Sequence, residues 1–395
     1  MSIELNKKQQ LGLKLAVDRF NRGEKYTVIA GYAGTGKSTL VRFIIDALHI
    51  PEDNVCYATF TGKAAEVLRK KGNKNAMTLH KLLYDSFPRP TGGFYRKPKL
   101  QLDQTVVVVD EISMVPKTLI DLLFKYRVYV ICLGDPFQLP PIDKNEDNHL
   151  LDHPHIFLDE ITRQEAESEI IQLTMKIRNH EPIDYFQGNE VQILPKEQLN
   201  TGMLMWADQV LTATNAKRIA INSQIRELLG YGEKPEEGDK IICLRNYWDD
   251  CNMLGDPLVN GTIGKIVAPF RTWREIPRFV KSDIRKFDII QCSFESDEGT
   301  YQDIYIDRKM LLTGEKCCDW RLSYQLGKLR YRYGEIVPKE FAYGYAMTYW
   351  KAQGSEWDKV LVIEESFPFD KEEHARALYT AATRASKKLV IIKNS

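Results

Sequence analysis

The residues best placed by type and spacing to do chemistry lie in Gly31-Tyr32-Ala33-Gly34-Thr35-Gly36-Lys37-Ser38-Thr39, between an apolar run, Tyr26 to Ala30, and a helical pattern from Ser38 to His49. Gly31 and Gly36 carry no Cβ, so the backbone can wrap a polyphosphate and turn successive N–H groups, with those of the helix start, toward negative charge. Gly34, Thr35 and Thr39 complete the cradle. Lys37 can reach the β- and γ-phosphates, and the Ser38 hydroxyl is placed to ligate an Mg²⁺ that bridges them. The chemistry is nucleoside triphosphate binding, with ATP and Mg²⁺ as the expected cofactors.

Hydrolysis needs a second set of residues. Thr105 to Val109 is too uniformly apolar to face water and predicts a central parallel strand that ends in Asp110-Glu111. Asp110 at that edge suits the Mg²⁺ held by Ser38. Glu111, one residue on, is spaced to orient and deprotonate the attacking water. A further strand, Arg127 to Leu133, leads into Gly134-Asp135-Pro136-Phe137-Gln138-Leu139-Pro140-Pro141, a loop stiffened by its prolines. There the Gln138 amide can touch the γ-phosphate and report hydrolysis to the loop; an ordinary proline-rich turn is the other reading. Upstream, Asn6 caps a helix running to about Phe20, and Gln9 within it has the paired amide donor and acceptor that an adenine edge requires.

These residues need a scaffold, and composition bounds it. At 395 residues the chain exceeds one ordinary core. Its 43% hydrophobic and 28% charged content is that of a soluble globular protein. No apolar run is long enough to span a bilayer, and Met1-Ser-Ile-Glu-Leu-Asn lacks a signal-peptide pattern, so a cytoplasmic protein with no membrane partner is expected. Seven cysteines without a Cys-x-x-Cys pair fit reduced thiols. Cys243, Cys251, Cys292, Cys317 and Cys318 crowd the second half but match no metal-ligand spacing, and burial is the expected role. A net charge of +1 means that any polyanion is held in a local groove.

Around the loop the pattern repeats as strand, polar loop and helix. Val55 to Thr59 precedes Phe60-Thr61-Gly62-Lys63-Ala64-Ala65, and Met77-Thr78-Leu79-His80-Lys81 follows. Thr61, Lys63, Thr78 and His80 are good donors to nucleic-acid phosphates, while Thr61 and Thr78 could equally be helix caps. Ser86 to Lys99 holds three prolines, a Gly-Gly turn, four basic residues, three aromatics and no acid. It predicts a protruding hairpin: either a solvated loop or a wedge whose Phe94 and Tyr95 stack on or pry apart bases. In the second half, Gln209 to Thr214, Lys359 to Ile363 and Lys388 to Lys393 read as strands of a second parallel sheet, with a helix from Asn215 to Leu229. Between about 236 and 337, short alternating strands suggest a small inserted barrel. The basic residues from Arg271 to Lys286 within it either extend a groove or form a solvated loop.

Taken in order, five elements resemble superfamily 1 helicases, closest to the RecD/Dda type of superfamily 1B. They are Leu5-Asn6-x-x-Gln9, Gly31 to Ser38, Thr61-Gly62-Lys63-Ala64-Ala65 with Thr78-Leu79-His80, Asp110-Glu111-Ile112-Ser113, and Gly134-Asp135-Pro136-x-Gln138-Leu139-Pro140-Pro141. Leu158-Asp159-Glu160-Ile161-Thr162-Arg163-Gln164 is similar to the segment carrying the family's first arginine finger, which implies that role for Arg163. Thr348-Tyr349-Trp350-Lys351-Ala352-Gln353-Gly354-Ser355-Glu356 and Tyr379-Thr380-Ala381-Ala382-Thr383-Arg384-Ala385 resemble the last two motifs. They imply a second finger, Arg384, and contacts from Thr348, Gln353 and Gly354 to nucleotide or to a nucleic-acid strand. Trp350 stands where the family usually has histidine; it stacks on a base or packs.

The resemblance implies an α/β fold of two RecA-like parallel-sheet domains. The first spans residues 1–150 with a pin insertion at about 86–103; the second spans 151–235 and 338–395 around an SH3-like β-barrel insertion at 236–337. It implies an ATP-dependent DNA helicase, a monomeric motor that tracks single-stranded DNA 5′→3′ and opens forked duplex, with protein partners of replication or recombination among the expected contacts. An RNA translocase, or a strand- or partner-binding module with slow NTPase activity, is the rival expectation. Sensitivity to the 2′-hydroxyl separates the first rival, and a hydrolysis rate unresponsive to single-stranded DNA would favour the second.

Overall fold

Val106–Val109 is fully buried, and a strand covered on both faces can only sit inside a parallel sheet flanked by helices. The computed structural model describes residues 4–88, 94–100, 106–141, 143–162, 166–253, 255–333, 336–365 and 370–394, and places this strand in such a sheet. The strands of the first half are β1 (Tyr26–Gly31), β2 (Val55–Thr59), β3 (Ala76–Thr78), β4 (Tyr84–Pro88), β5 (Phe94–Arg96), β6 (Val106–Val109), β7 (Tyr129–Gly134) and β8 (Ile156–Leu158). Six of them form one parallel sheet in the order β3-β2-β6-β7-β1-β8. β4 and β5 pair separately as an antiparallel hairpin. The sheet extends past residue 150, the expected limit of the first unit, because β8 pairs with β1.

This strand order assembles the chemistry. β6, β7 and β1 are neighbours, and strands in a sheet lie about 4.8 Å apart. The segments leaving their carboxyl ends, which begin at Asp110, Asp135 and Tyr32, therefore converge within about 10 Å. Helices cover both faces. Leu40, Val41 and Ile44 of helix Lys37–Ala47 pack on one face, while Leu79, Leu82, Leu83, Leu119 and Leu123 pack on the other. Helix Lys7–Asn21 starts with a reciprocal cap: Asn6 Oδ1 accepts the Gln9 N–H at 2.8 Å, and Gln9 Oε1 accepts the Asn6 N–H at 2.9 Å.

The second half carries β9 (Phe186–Gln187), β10 (Val191–Pro195), β11 (Gln209–Thr212), β12 (Lys240–Cys243), β13 (Tyr247–Cys251), β14 (Pro257–Leu258), β15 (Ile263–Glu275), β16 (Lys286–Ser296), β17 (Gly299–Asp307), β18 (Phe341–Tyr343), β19 (Ala346–Thr348), β20 (Trp357–Ile363) and β21 (Ala385–Lys393). A second sheet runs β19-β11-β20-β21-β10-β9, parallel except for β9 at its edge. Between β11 and β19 the chain leaves to build a five-stranded antiparallel sheet, β17-β16-β15-β12-β18. It curls enough for Ile306 in one edge strand to bridge Lys339, two residues before the other edge strand. This unit reaches Tyr343, beyond the expected limit at 337.

Two sets of contacts hold the antiparallel unit in place. Arg226, on helix Asn215–Leu228, makes a bidentate pair with the fully buried Asp239 at 2.8 and 3.0 Å and lies 4.4 Å from the centre of the Tyr343 ring. On the other side, the unit reaches the first half. The Gly62 N–H donates to Asn260 O at 3.2 Å, and a Cβ at Gly62 would come within 1.9 Å of Val259, so only glycine allows this approach. Lys70 and Arg69 of helix Gly62–Lys70 pair with Asp297 and Glu298 at the β16–β17 turn. Removing the carboxylate of a buried pair strands its partner's charge. Asp239→Ala should therefore lower stability by about 3 to 5 kcal/mol in chemical denaturation, while Arg226→Met with Asp239→Leu restores most of the loss.

Candidate active site at the seam between the two sheets

The phosphate loop joins β1 to helix Lys37–Ala47. Gly34 and Gly36 hold φ of +73° and +79°, backbone that side chains disfavour. Gly36 is the helix N-cap and makes no side-chain capping bond; a Cβ on it would meet Gln9 Nε2 at 2.5 Å. Lys37 Nζ donates to the loop's own carbonyls, Gly31 at 2.7 Å and Tyr32 at 3.0 Å, so a bound phosphate would exchange for these partners. Thr35 Oγ1 closes the loop on Tyr32 O at 2.8 Å. The Gln9 amide is spent on the fold, its oxygen in the helix cap and its nitrogen on Thr35 O at 3.2 Å. The expected adenine contact thus falls on a side chain that braces the loop in this state.

At the end of β6, burial and the neighbouring Glu111 charge push the Asp110 carboxyl up to about 6, against the pull of Lys37. Ser38 and Asp110 offer a hydroxyl and a carboxylate, hard oxygen donors that suit Mg²⁺. Among the described residues no cluster of three or more His, Cys, Asp or Glu could hold an ion unaided. That fits an ion which takes its other ligands from phosphate and water. Glu111 occupies the left-handed region at φ 54°, a strained backbone for a non-glycine residue and one that recurs at functional sites.

Arg384 completes the pocket from the second sheet. It is 5% exposed and donates to Thr380 O at 3.1 Å, Ser355 O at 3.3 Å and Thr383 Oγ1 at 3.0 Å. Thus fixed, it lies 3.6 Å from Glu111 Oε1. With its amide turned to satisfy both neighbours, Gln138 donates to Glu111 Oε2 at 3.0 Å and accepts from Arg384 at 3.2 Å. Glu111, Gln138 and Arg384, drawn from the two sheets, therefore form one connected network. Arg163 lies outside the described residues, but its neighbour Thr162 donates its N–H to Gly34 O at 2.9 Å, against the phosphate loop.

The seam is apolar around this network. Phe137 and Leu139, from the loop after β7, belong to the second sheet's core beside Leu173, Ile177, Tyr349 and Tyr379. Tyr379 Oη accepts the Ala33 N–H of the phosphate loop at 2.9 Å and donates to Asp135 Oδ2 at 2.6 Å. Leu139 N–H donates to Thr380 Oγ1 at 3.0 Å, and Gln353 Nε2 donates to Leu139 O at 2.7 Å. Gln353 and Gly354, expected at nucleotide, instead meet the first half of the chain. A Cβ on Gly354 would come within 2.7 Å of Ala64, so this glycine allows a close approach of backbones.

Along the same seam runs a cavity of about 380 Å³ whose walls include Phe60, Thr61, Pro140, Thr348, Trp350 and Lys351. Thr348 begins helix Tyr349–Ala352 without spending its hydroxyl on the cap. Thr61 and Thr78 do spend theirs, on the N–H groups of Ala64 and Lys81, as caps. Lys63 also borders this cavity, but its ammonium is held by Glu66 at 2.9 Å. His80, whose pKa burial lowers, stacks 6.0 Å from the Tyr84 ring. Trp350 is partly buried against the second sheet's core. On the β4–β5 hairpin, Tyr95 is 47% exposed, while the Phe94 side chain and the tip at 89–93 lie outside the described residues.

Residues 4–192 match the family described as an AAA domain, and residues 343–392 the family described as a UvrD-like helicase C-terminal domain. The chain is 25% identical to the ATP-dependent RecD2 DNA helicase of Deinococcus radiodurans, over 92% of this chain and 46% of that protein. It is 26% identical to the ATP-dependent DNA helicase dda of Enterobacteria phage T4, over 45% of this chain and 43% of that one. The uncharacterized protein R530 of Acanthamoeba polyphaga mimivirus is 25% identical across 97% of this chain and 99% of its own. Among solved structures, Pif1 helicase from Bacteroides in complex with ADP-AlF3 and ssDNA superposes with a TM-score of 0.53 at 18% identity, over 100% of this chain and 95% of that one. Pif1 helicase from Candida albicans gives 0.52 at 19% identity, over the same shares. At these identities the superpositions speak for the fold.

The chain is a superfamily 1B helicase. Its similarity runs to the RecD and Dda type, and the matches cover less than half the length of RecD2 and of Dda.

Several residues of this helicase site escape sequence reasoning. Tyr379 and Asp135 lie inside quoted motifs, yet nothing in either motif says that they bond each other across the seam. Arg178 lies 3.7 Å over the Tyr32 ring, and Phe157 packs edge-on against the ring's other contact surface at 5.3 Å. Only the phosphate-loop position of Tyr32 hints at that clamp. Tyr379→Phe would leave the Ala33 N–H and the Asp135 carboxyl without their shared partner, at about 1 to 3 kcal/mol. Steady-state ATPase assays should show kcat/KM falling roughly 5- to 100-fold with the fold unchanged by circular dichroism.

Proposed function

We propose that this helicase hydrolyses ATP between its two sheets and uses the resulting opening and closing to move 5′→3′ along single-stranded DNA, separating duplex at a fork. The observation that carries the reading is the Glu111–Gln138–Arg384 network, in which one half of the chain supplies the base and the other the cation. In this reading the two parallel sheets are the RecA-like domains, the curled antiparallel unit is the SH3-like insertion, and the β4–β5 hairpin is the pin.

Lys37 and the N–H groups of the loop grip the β- and γ-phosphates. Ser38 and Asp110 would hold Mg²⁺, which would supply charge neutralisation at the phosphates. Glu111 orients a water and takes its proton as the water oxygen bonds to the γ-phosphorus. The bond from that phosphorus to the bridging oxygen breaks, and the electron pair leaves with ADP. Arg384, joined by Arg163, stabilises the charge that develops, a contribution worth about 10³ to 10⁵ in rate for such fingers. Loss of the γ-phosphate removes what Gln138 and the arginines hold in common, so the seam loosens. Thr61, Thr348, Trp350 and Lys351 border the DNA path, where backbone contacts and stacking make movement largely independent of sequence. The Pif1 structures in complex with ssDNA and at forked dsDNA support a nucleic-acid partner of this kind.

Duplexes with only a 5′ or only a 3′ single-stranded tail test the proposal. The 5′-tailed duplex should be unwound with ATP and the 3′-tailed one left intact. Lys37→Ala should bind the tail but unwind neither. Unwinding of the 3′-tailed substrate alone would reverse the direction, and unwinding by Lys37→Ala would remove the phosphate loop from the mechanism.

A further inference from the structure

The far end of the antiparallel unit carries a surface that the hydrolysis site and the DNA path do not use. β15 starts two residues after Gly261, where an added Cβ would lie 3.8 Å from Lys63 of helix Gly62–Lys70, and its other end is Glu275. From Gly264 to Arg274 is ten residues of strand, about 33 Å at 3.3 Å per residue. There, β15 and β16 meet helix Trp320–Gly327 around a small core of Ile276, Val280, Phe287, Ile289, Leu326 and Ile336, separate from the unit's main core.

Outside that core the surface is basic and aromatic at once. Residues 270–286 and 316–333 together contain eleven Lys and Arg against three Asp and Glu, on a chain whose net charge is +1. Arg271 and Lys316 are balanced by Asp288 and Glu340, which leaves a large positive excess. Six of the ten exposed aromatic side chains among the described residues lie in and around these two segments: Phe270, Trp273, Phe279, Trp320, Tyr324 and Tyr333, with Phe270 and Trp273 on opposite faces of β15. Trp320 is 73% exposed. Its helix turns Leu322, Leu326 and Leu329 inward and sets Trp320, Tyr324 and Lys328 in a row at i, i+4 and i+8. Cations sit over these rings: Lys328 over Tyr324 at 4.3 Å, Lys286 over Trp273 at 4.9 Å and Arg321 over Trp320 at 5.5 Å. Phe279 and Tyr333 lie 5.6 Å apart, joining the hairpin end to the segment after that helix.

Exposed rings of this size disfavour water, and the excess charge selects an anion. A single nucleic-acid strand satisfies both, because its bases stack on aromatic faces while its phosphates meet the cations. Duplex DNA offers the charge but keeps its base faces stacked inside. We propose that this surface is a second binding site for single-stranded DNA, which holds the tracked strand outside the motor. The inference rests on the helicase reading and adds to it a contact at the far end of β15, at most about 33 Å of bulged strand from its start. A strand stacked at the duplex spacing of about 3.4 Å per nucleotide covers that distance in at most roughly ten nucleotides, and an extended strand in fewer.

The test compares a short and a long oligothymidylate, about 8 and 25 nucleotides, by fluorescence anisotropy with the full chain. The variant combines Trp320→Ala, Lys328→Glu and Arg332→Glu, all at exposed positions outside the hydrolysis site. It should bind the short oligonucleotide as the parent does and lose at least 10-fold in affinity for the long one. Its salt slope on the long strand should fall by about 0.7 for each phosphate contact removed. An unchanged preference for the long strand overturns the second site and leaves the motor intact. If the parent binds neither length, the helicase reading and this inference fail together. A variant that keeps its DNA affinity but no longer self-associates or retains a protein partner likewise overturns the proposal, since the surface would then be a protein interface.

Discussion

Everything in the proposed mechanism depends on keeping one guanidinium, that of Arg384, desolvated beside a carboxylate belonging to the other sheet. A charge at 5% exposure is tolerated only when its hydrogen bonds are satisfied. Its own sheet supplies Thr380, Ser355 and Thr383, and the remaining face turns to Glu111 and Gln138. The arrangement fixes the cation before substrate arrives, which is what electrostatic catalysis requires. The strained backbone at Glu111 serves the same end, because it aims a carboxylate across the seam rather than along its strand.

The seam has to be both tight and separable. Phe137 and Leu139 insert into the second sheet's core, and burial of each side chain is worth about 1.5 to 3 kcal/mol. Around them run polar contacts from Tyr379, Thr380 and Gln353, which hold direction as well as distance. These contacts tie the phosphate loop, the Asp135–Pro141 loop and the last helix together, so a change at the phosphates is felt on both sides. The antiparallel unit closes the other flank through ion pairs at exposed Arg69 and Lys70. Such pairs contribute about 0 to 1 kcal/mol each and can break without unfolding anything.

The sequence made the two sheets legible because parallel strands are apolar along their whole length, and Val106–Val109 could be nothing else. The phosphate loop, Asp110, Glu111 and Arg384 were legible because their chemistry fixes residue type and spacing. Residues whose side chains have several uses were not. Thr61 and Thr78 offer hydroxyls that suit a phosphate or a helix start, and the fold took them as caps. Lys63 reads as a free cation until Glu66, one helical turn on, claims it. Gln353 and Gly354 have a place in the motif but a partner only in three dimensions. The helix Trp320–Gly327 went unseen because its inward leucines face a core completed by strands that are distant in sequence.

The most direct measurement is a double-mutant cycle on DNA-stimulated ATP hydrolysis, with Gln138→Ala and Arg384→Lys made singly and together so that turnover stays measurable. If amide and guanidinium act as one unit across the seam, the double variant should lose at least 10-fold less than the product of the single losses, a coupling of about 1.4 kcal/mol or more. Losses that simply multiply would mean that the two residues work independently, and the account of a shared pocket would be contradicted.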